Sequence, residues 1–219
     1  PFQDSAGVSL IANGEIYNYR ELTTEIGRGA LSTKSDCELP LHLYKRYGLQ
    51  FTDHLRGMYA IAIHDSIKDQ LILARDPFGI KPLYYAKIED HLVIASEIKA
   101  ILALGYKREP NQQIIWDYLA TGNSEHSEET MFKGIRKLPP GHSLTYSLNG
   151  KLKIERYWYL LEASKELTTR NVREQFTSLL EQVVEWECRS DVPVGILFSG
   201  GLDSSVLLSL MPVSYTHLT

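Results

Sequence analysis

The chain has 219 residues, enough for one large or two modest domains, and its 43% hydrophobic and 23% charged residues are typical of a soluble globular protein. Its net charge of −4, with both signs interspersed, provides no basic face, so we expect no nucleic-acid partner. No apolar run is long enough to span a membrane and no signal peptide is recognised, so we expect a cytoplasmic protein without a membrane partner. The two cysteines, Cys37 and Cys188, and the seven histidines lack disulfide or metal-site spacing.

The first elements surround a short polar motif. Residues 8–12 predict a strand that runs into Asn-Gly-Glu-Ile-Tyr-Asn at 13–18, and a short helix from about Tyr19 ends at Gly27. The Ser-Asp-Cys-Glu segment at 35–38 has the spacing of a capping box and predicts a helix that ends near Gly48.

The middle of the chain predicts antiparallel strands with helices outside them, an α+β layered domain. The predicted strands are 58–63, buried on both faces, and 71–74, 83–86 and 92–95, and the predicted helices are 97–104 and 111–119. Leu144, Tyr146 and Leu148 alternate before a hairpin for which Asn149-Gly150 predicts a type I′ turn. The Arg75-Asp76 pair is interpreted as part of a turn between strands, with a structural role for the arginine or a position facing the other domain.

The last quarter of the chain has a different organisation. Residues 161–170 are the predicted linker, and Asn171, with Glu174 three residues later, predicts the start of a helix. Its apolar stripe consists of Val172, Phe176, Leu179, Leu180, Val183 and Val184. Residues 193–198 predict a strand buried in a parallel sheet, followed by a glycine turn and a second helix, which is typical of the start of a doubly wound α/β domain. The tail at 212–219 is interpreted as foreign or unstructured sequence.

The glycine turn predicts a phosphate-binding loop, because unpaired N–H groups at a helix N-terminus attract anions and glycines let the backbone approach them. The candidate residues are Ser199, Gly200, Gly201, Asp203, Ser204 and Ser205. Neither the Walker pattern nor the dinucleotide fingerprint is present. The sequence Ser-Gly-Gly-Leu-Asp-Ser-Ser at 199–205 instead resembles the pyrophosphate loop of the ATP pyrophosphatases.

Further segments, taken with this loop, resemble the glutamine-hydrolysing asparagine synthetases. They are 13–18, 35–38, Arg-Asp-Pro-Phe-Gly-Ile-Lys-Pro-Leu-Tyr-Tyr at 75–85 and Ala-Ser-Glu-Ile-Lys-Ala at 95–100. The resemblance implies an N-terminal-nucleophile (Ntn) hydrolase-like α/β/β/α sandwich at 1–160, without its N-terminal cysteine segment. It also implies the start of an ATP-pyrophosphatase-like synthetase domain at 171–211. Other class II glutamine amidotransferases share the first domain, so the pair of domains is the discriminating feature.

For the first domain, the resemblance implies that an N-terminal cysteine attacks the glutamine amide and that an oxyanion hole stabilises the intermediate. Asn13 and Gly14 would form this hole, and Glu15 and Asp36 would hold the α-amino group of glutamine. Taken alone, Asn13-Gly14 could also be a plain turn and Asp36 a helix-start residue; their joint occurrence favours the functional interpretation.

For the second domain, the resemblance implies ATP and Mg²⁺ as cofactors and an acceptor carboxylate, most simply aspartate, that is adenylated and then attacked by ammonia. The loop residues would cradle the pyrophosphate, Asp203 would hold Mg²⁺, and Leu197 would contact the nucleotide.

The family's nucleophilic cysteine is expected upstream of Pro1, and neither Cys37 nor Cys188 replaces it, so the fragment is expected to be inactive. Two alternatives remain open: an adenylating enzyme without glutaminase activity, and a non-catalytic fragment. The acceptor and the oligomeric state are also open, with a homodimer as one option.

Overall fold

A computed structural model describes residues 1–147, 149–163 and 171–211. The chain forms two compact units, Pro1–Leu161 and Glu162–Thr219. Most of the predicted linker, residues 164–170, and the predicted tail at 212–219 lie outside the described residues, as does Leu148 of the predicted hairpin.

The described strands all belong to the first unit. They are β1 Phe2–Gln3, β2 Val8–Ile16, β3 Gly57–Asp65, β4 Gln70–Arg75, β5 Tyr84–Ile88, β6 His91–Ala95, β7 Arg136–Lys137, β8 His142–Ser147 and β9 Leu152–Arg156. One sheet has the order β1-β2-β3-β4-β8-β9 and the other the order β6-β5-β7. Every pairing is antiparallel, as predicted.

The described α-helices are distributed over both units. They are α1 Tyr19–Ile26, α2 Leu39–Tyr47, α3 Ile98–Ala103, α4 Gln112–Thr121, α5 Leu160–Ala163, α6 Val172–Glu187 and α7 Leu202–Leu210. Shorter 3-10 turns span Arg28–Ala30, Asp36–Glu38 and Gly48–His54. The predicted ends at Gly27 and Gly48 are confirmed, because both glycines are helix C-caps with positive φ.

Three apolar clusters define the layers of the first unit. One lies between the first sheet and helices α1 and α2, a second lies between the two sheets, and a third lies between the second sheet and α3. Strand β3 is buried on both faces, since Ile61 and Ile63 belong to the first cluster while Ala60 and Ala62 belong to the second. Helices, sheet, sheet and helix therefore form the predicted α/β/β/α sandwich.

The hairpin between β8 and β9 has a different turn from the predicted one. A type I′ turn needs positive φ at both central residues, but only Gly150, at 83°, has it, and Asn149 does not. The Gly150 N–H donates to the Ser147 carbonyl at 2.8 Å, and the Ser147 N–H donates to the Lys151 carbonyl at 2.9 Å. The loop is therefore of the longer type that places a glycine in the left-handed region.

The second unit contains the two predicted helices, but the predicted strand at 193–198 is wrong: this segment has no strand pairing. A strand needs a neighbouring strand for its hydrogen bonds, and the described part of this unit has none. Asn171 precedes α6 in a left-handed conformation, φ 55°, and its side chain makes no capping bond. Of the predicted stripe on α6, Val184 is buried, whereas Phe176 and Leu179 are exposed.

Candidate active site

The Asn13-Gly14-Glu15 motif lies inside β2, not in a turn. Gly14 pairs with Tyr59 of β3 and the pairing continues to Ile16. A Cβ at Gly14 would lie 2.2 Å from the carbonyl oxygen of Met58 and 2.7 Å from the Cα of Tyr59. Only glycine fits, because the neighbouring atoms are backbone, and the interpretation of these residues as a plain turn is wrong.

The Ser-Asp-Cys-Glu segment at 35–38 contacts the end of β2. Asp36 Oδ2 accepts the backbone N–H of Ile16 at 2.6 Å, and the Cys37 thiol donates to the carbonyl oxygen of Gly14 at 3.4 Å. Residues about twenty positions apart in the sequence therefore lie in contact at the end of β2.

Burial and the carboxylates of Asp36 and Glu15 change the pKa of the Cys37 thiol, where the Asp36 loop meets β2. Burial, then the negative charges of Asp36 and Glu15, raise the pKa of Cys37 to about 12. A thiol with that pKa stays protonated at neutral pH and is a poor nucleophile. The same two carboxylates create a negative potential that favours an ammonium group.

The loop that carries Asp36 is fixed by Glu38, whose role the sequence did not reveal. The Glu38 carboxylate accepts the N–H groups of Ser32 and Thr33, both at 2.7 Å, and the Thr33 hydroxyl at 2.6 Å. His42 Nε2 lies 3.3 Å away. Burial opposes the charge, but these hydrogen bonds outweigh it and lower the pKa of Glu38 to about 2.

The predicted capping box at 35–38 is therefore wrong. Ser35 Oγ accepts the N–H of Cys37 at 3.3 Å, whereas Glu38 does not bond back to Ser35. The reason is that the Glu38 carboxylate binds the N–H groups of Ser32 and Thr33 in the preceding loop instead. The predicted helix instead begins with a 3-10 turn and continues as α2, with Pro40 in its first turn, where a missing N–H is tolerated.

Arg75 and Asp76 are both buried, and their side chains bind backbone groups. They lie where the sequence predicted a connection between strands. The Arg75 guanidinium donates to the carbonyl oxygens of Lys81, Leu138 and Gly79 at 2.7 to 2.8 Å. The Asp76 carboxylate accepts backbone N–H groups at positions 78, 80 and 81, and that of Tyr59. These bonds hold the loop after β4 against β3.

A cavity of about 130 Å³ lies between the two sheets beside Asn13. The Asn13 side-chain amide donates to the hydroxyl of Ser96, which follows β6, at 3.1 Å. Sequence reasoning assigned no role to Ser96. The available signal was its place in the Ala-Ser-Glu segment at 95–97, one of the segments that carried the family resemblance.

In the second unit, the Ser-Gly-Gly loop leads into α7 as predicted. Gly200 has φ 77°, a conformation that favours glycine, and Gly201 is the N-cap. The hydroxyls of Ser204 and Ser205 donate to the Gly201 carbonyl at 3.1 and 2.8 Å, and Ser199 Oγ lies 3.1 Å from Ser204 Oγ.

Other predicted residues of the loop are open to solvent. Asp203 lies in the first turn of α7 and is exposed, and Leu197 is 96% exposed. Within the described residues, no group of three or more His, Cys, Asp or Glu side chains could hold a metal ion. Of the helices described, none is both long and apolar enough to cross a membrane.

Two family models match the chain. Residues 1–158 match the glutamine amidotransferase domain, and residues 175–216 match asparagine synthase.

Curated relatives match the chain across both of the segments that the family models match. A glutamine-hydrolysing asparagine synthetase of Bacillus subtilis is 36% identical over 94% of this chain and 30% of its own length. The amidase chry2 of Gibberella zeae is 35% identical over 96% of this chain and 32% of its own length. The chain thus spans about a third of the length of the curated relatives it matches.

Among solved structures, a glutamine phosphoribosylpyrophosphate amidotransferase from B. subtilis, complexed with ADP and GMP, aligns with a TM-score of 0.51 and 26% identity. The alignment covers 72% of this chain and 30% of that structure. Together with the layer order, this likeness confirms the predicted Ntn hydrolase-like fold.

Proposed function

The chain belongs to the glutamine amidotransferase domain family, as the resemblance to glutamine-hydrolysing asparagine synthetases predicted, and we propose that its first unit binds glutamine and stabilises the oxyanion that forms when the side-chain amide is hydrolysed. The observation that carries this proposal is the junction between β2 and the Asp36 loop. There the Asp36 carboxylate accepts the N–H of Ile16, the residue after Glu15. The Asn13-Gly14 pair lies just before Glu15 on the same strand.

Each residue at the junction has a chemical task. Glu15 and Asp36 would bind the α-ammonium of glutamine, because two carboxylates beside one thiol provide the negative potential that such a group needs. One oxygen of Asp36 is held by the Ile16 N–H, which fixes the direction of the other. The oxyanion that forms when the glutamine amide carbon is attacked would be stabilised by the side-chain amide of Asn13 and the backbone N–H of Gly14.

The attacking group would be the thiolate of an N-terminal cysteine, as the family resemblance implies, with its own α-amine as base. Cys37 does not suit this role, because burial and the neighbouring carboxylates raise its pKa and its amine belongs to a peptide bond. Cys188 does not suit it either, since burial and Glu187 raise its pKa. The polypeptide Pro1–Thr219 alone is therefore expected to release no glutamate from glutamine.

For the second unit, we propose amide synthesis that uses the ammonia. The acceptor carboxylate would be adenylated with release of pyrophosphate, after which ammonia displaces AMP; aspartate, giving asparagine, is the proposed acceptor. The match to asparagine synthase at 175–216 supports the use of ATP. The Asp203 carboxylate and the serine hydroxyls are oxygen ligands of the kind Mg²⁺ takes together with phosphates.

The test uses the native gene product that contains this chain, assayed for glutamate, AMP and asparagine in the presence of glutamine, ATP, Mg²⁺ and aspartate. Asp36→Asn keeps the size of the side chain but removes its charge. It should raise the KM for glutamine about 10- to 100-fold, because a hydrogen bond to a charged group contributes about 1.5 to 3 kcal/mol. The ammonia-dependent synthesis should be unchanged.

Asp69→Asn is the matched control, since Asp69 is an exposed carboxylate in the β3–β4 turn, outside the site. A gene product that releases no glutamate, or an Asp36→Asn variant with the wild-type KM, would refute the proposed glutamine site. Release of glutamate and AMP without asparagine would refute only the proposed acceptor.

A further inference from the structure

Asn13 and Ser96 form a hydrogen bond that joins the two sheets. Asn13 lies on β2 of the first sheet, whereas Ser96 directly follows β6 of the second, and 83 positions separate them in the chain. The Asn13 amide nitrogen donates to the Ser96 hydroxyl oxygen at 3.1 Å.

Both side chains line the cavity of about 130 Å³ between the sheets. A water molecule occupies about 30 Å³ in the liquid, so the cavity could hold a group of a few heavy atoms, such as a carboxamide. Its other lining residues are apolar, among them Ile11, Ala60, Leu83 and Ile94. An apolar pocket with two converging polar groups is the usual form of a small-molecule site.

We propose that Ser96 is a positioning residue for glutamine hydrolysis, which acts by orienting the Asn13 amide; this inference rests on the proposed function. The amide nitrogen carries two N–H groups and the opposite atom is a carbonyl oxygen, so a free side chain could present either end to the cavity. Ser96 binds one N–H group. In this arrangement the nitrogen lies on the cavity side, and its second N–H is available for an oxyanion.

The restraint matters because Asn13 is otherwise exposed, with a side chain that would be free to rotate. Stabilisation of an oxyanion requires donors held in place before the charge develops. Ser96 therefore improves the binding of the transition state without contacting the α-amino group of glutamine. A loss of this contact should lower kcat and leave KM unchanged.

The experiment measures glutamate release by the native gene product that contains this chain. Ser96→Ala should lower kcat about 10- to 100-fold, because a misplacement of about 1 Å can cost about 10²-fold, with the KM for glutamine unchanged. Ser96→Thr keeps the hydroxyl and should recover most of the activity. Ser9→Ala is the matched control, since Ser9 lies on the same strand as Asn13 but outside the cavity, and it should have no effect.

A double-mutant cycle separates positioning from a general structural effect. Asn13→Ala should lower kcat about 10²- to 10³-fold, as the loss of an oxyanion donor does. Adding Ser96→Ala to that variant should cause no further loss, because Ser96 acts only through Asn13. Fully additive losses, or a Ser96→Ala variant with the wild-type kcat, would overturn the inference.

A second measurement does not depend on activity. In the chain itself, the two side-chain N–H protons of Asn13 should have different exchange rates by NMR, with one protected by Ser96, and Ser96→Ala should remove this difference. Equal exchange rates in the unmodified chain would overturn the inference. Failure of the proposed function is seen separately, as an unmodified gene product that releases no glutamate while the protected N–H is still present.

Discussion

The loop that carries Asp36 depends on one buried carboxylate, and Glu38→Gln tests that dependence. Glu38 is only 2% exposed, and its oxygens accept at least three hydrogen bonds from Ser32 and Thr33. Glutamine has nearly the same volume but replaces one oxygen with an NH₂ group, which would face N–H or O–H donors. The substitution therefore removes the charge and leaves a buried donor unpaired.

The lowered pKa of Glu38 gives the size of its contribution to folding stability and the pH range in which that contribution is lost. A decrease from the ordinary value of 4.5 to about 2 corresponds to about 3 kcal/mol of stability. Since the folded-state pKa is the lower one, this contribution is complete above about pH 4.5 and is lost as the pH falls towards 2. At pH 7, Glu38→Gln should therefore destabilise the first unit by about 2 to 3 kcal/mol.

The assay is urea unfolding of the chain, followed by circular dichroism at several pH values between 7 and 3.5. The unmodified protein should lose stability below pH 4.5 more steeply than the variant, so the two curves should converge as the pH falls. Glu89→Gln, at an exposed turn between β5 and β6, is the matched control and should be close to neutral. A loss below about 0.5 kcal/mol at pH 7, the usual range for surface substitutions, would refute the reasoning, as would parallel pH curves.

Two further substitutions test the framework of the site. Gly14→Ala should destabilise the first unit by about 3 kcal/mol, because its Cβ would collide with the backbone of Met58 and Tyr59; a thermal midpoint equal to that of Ser9→Ala would contradict this. Asp76→Ala should cost about 3 kcal/mol, because it leaves three part-buried N–H groups of the loop after β4 without their acceptor. Urea unfolding measures that loss, and a value below about 1 kcal/mol would show that water replaces the carboxylate.

The parts of the fold that depend on short-range pattern could be predicted from the sequence. The strands β2, β3 and β4 were recognised because apolar residues fill the faces that they bury, and α1 and α2 because glycine ends both helices. The antiparallel arrangement followed from the short connections between strands. The resemblance supplied the site residues of the first unit, whose roles remain proposals.

Most of the failures concern hydrogen-bond or strand partners that the residue pattern does not reveal. The sequence shows Glu38 three residues after Ser35, but not the loop N–H groups that its carboxylate prefers. The bond between Asn13 and Ser96 crosses two sheets, and no local pattern encodes it. The apolar segment at 193–198 has the composition of a strand, yet pairing depends on a neighbouring strand, which the described part of the second unit does not contain.

The two proposed sites therefore differ in how far this chain organises them. Asn13 and Gly14 lie in a regular strand paired with β3, and Asp36 is bonded to that strand, so the donors and the carboxylate have fixed directions before a ligand binds. In the second unit, the hydroxyls of Ser199 and Ser204 contact each other and Leu197 is open to solvent. For this reason the Asn13 amide can be studied in the chain itself, whereas nucleotide binding requires assays on the native gene product.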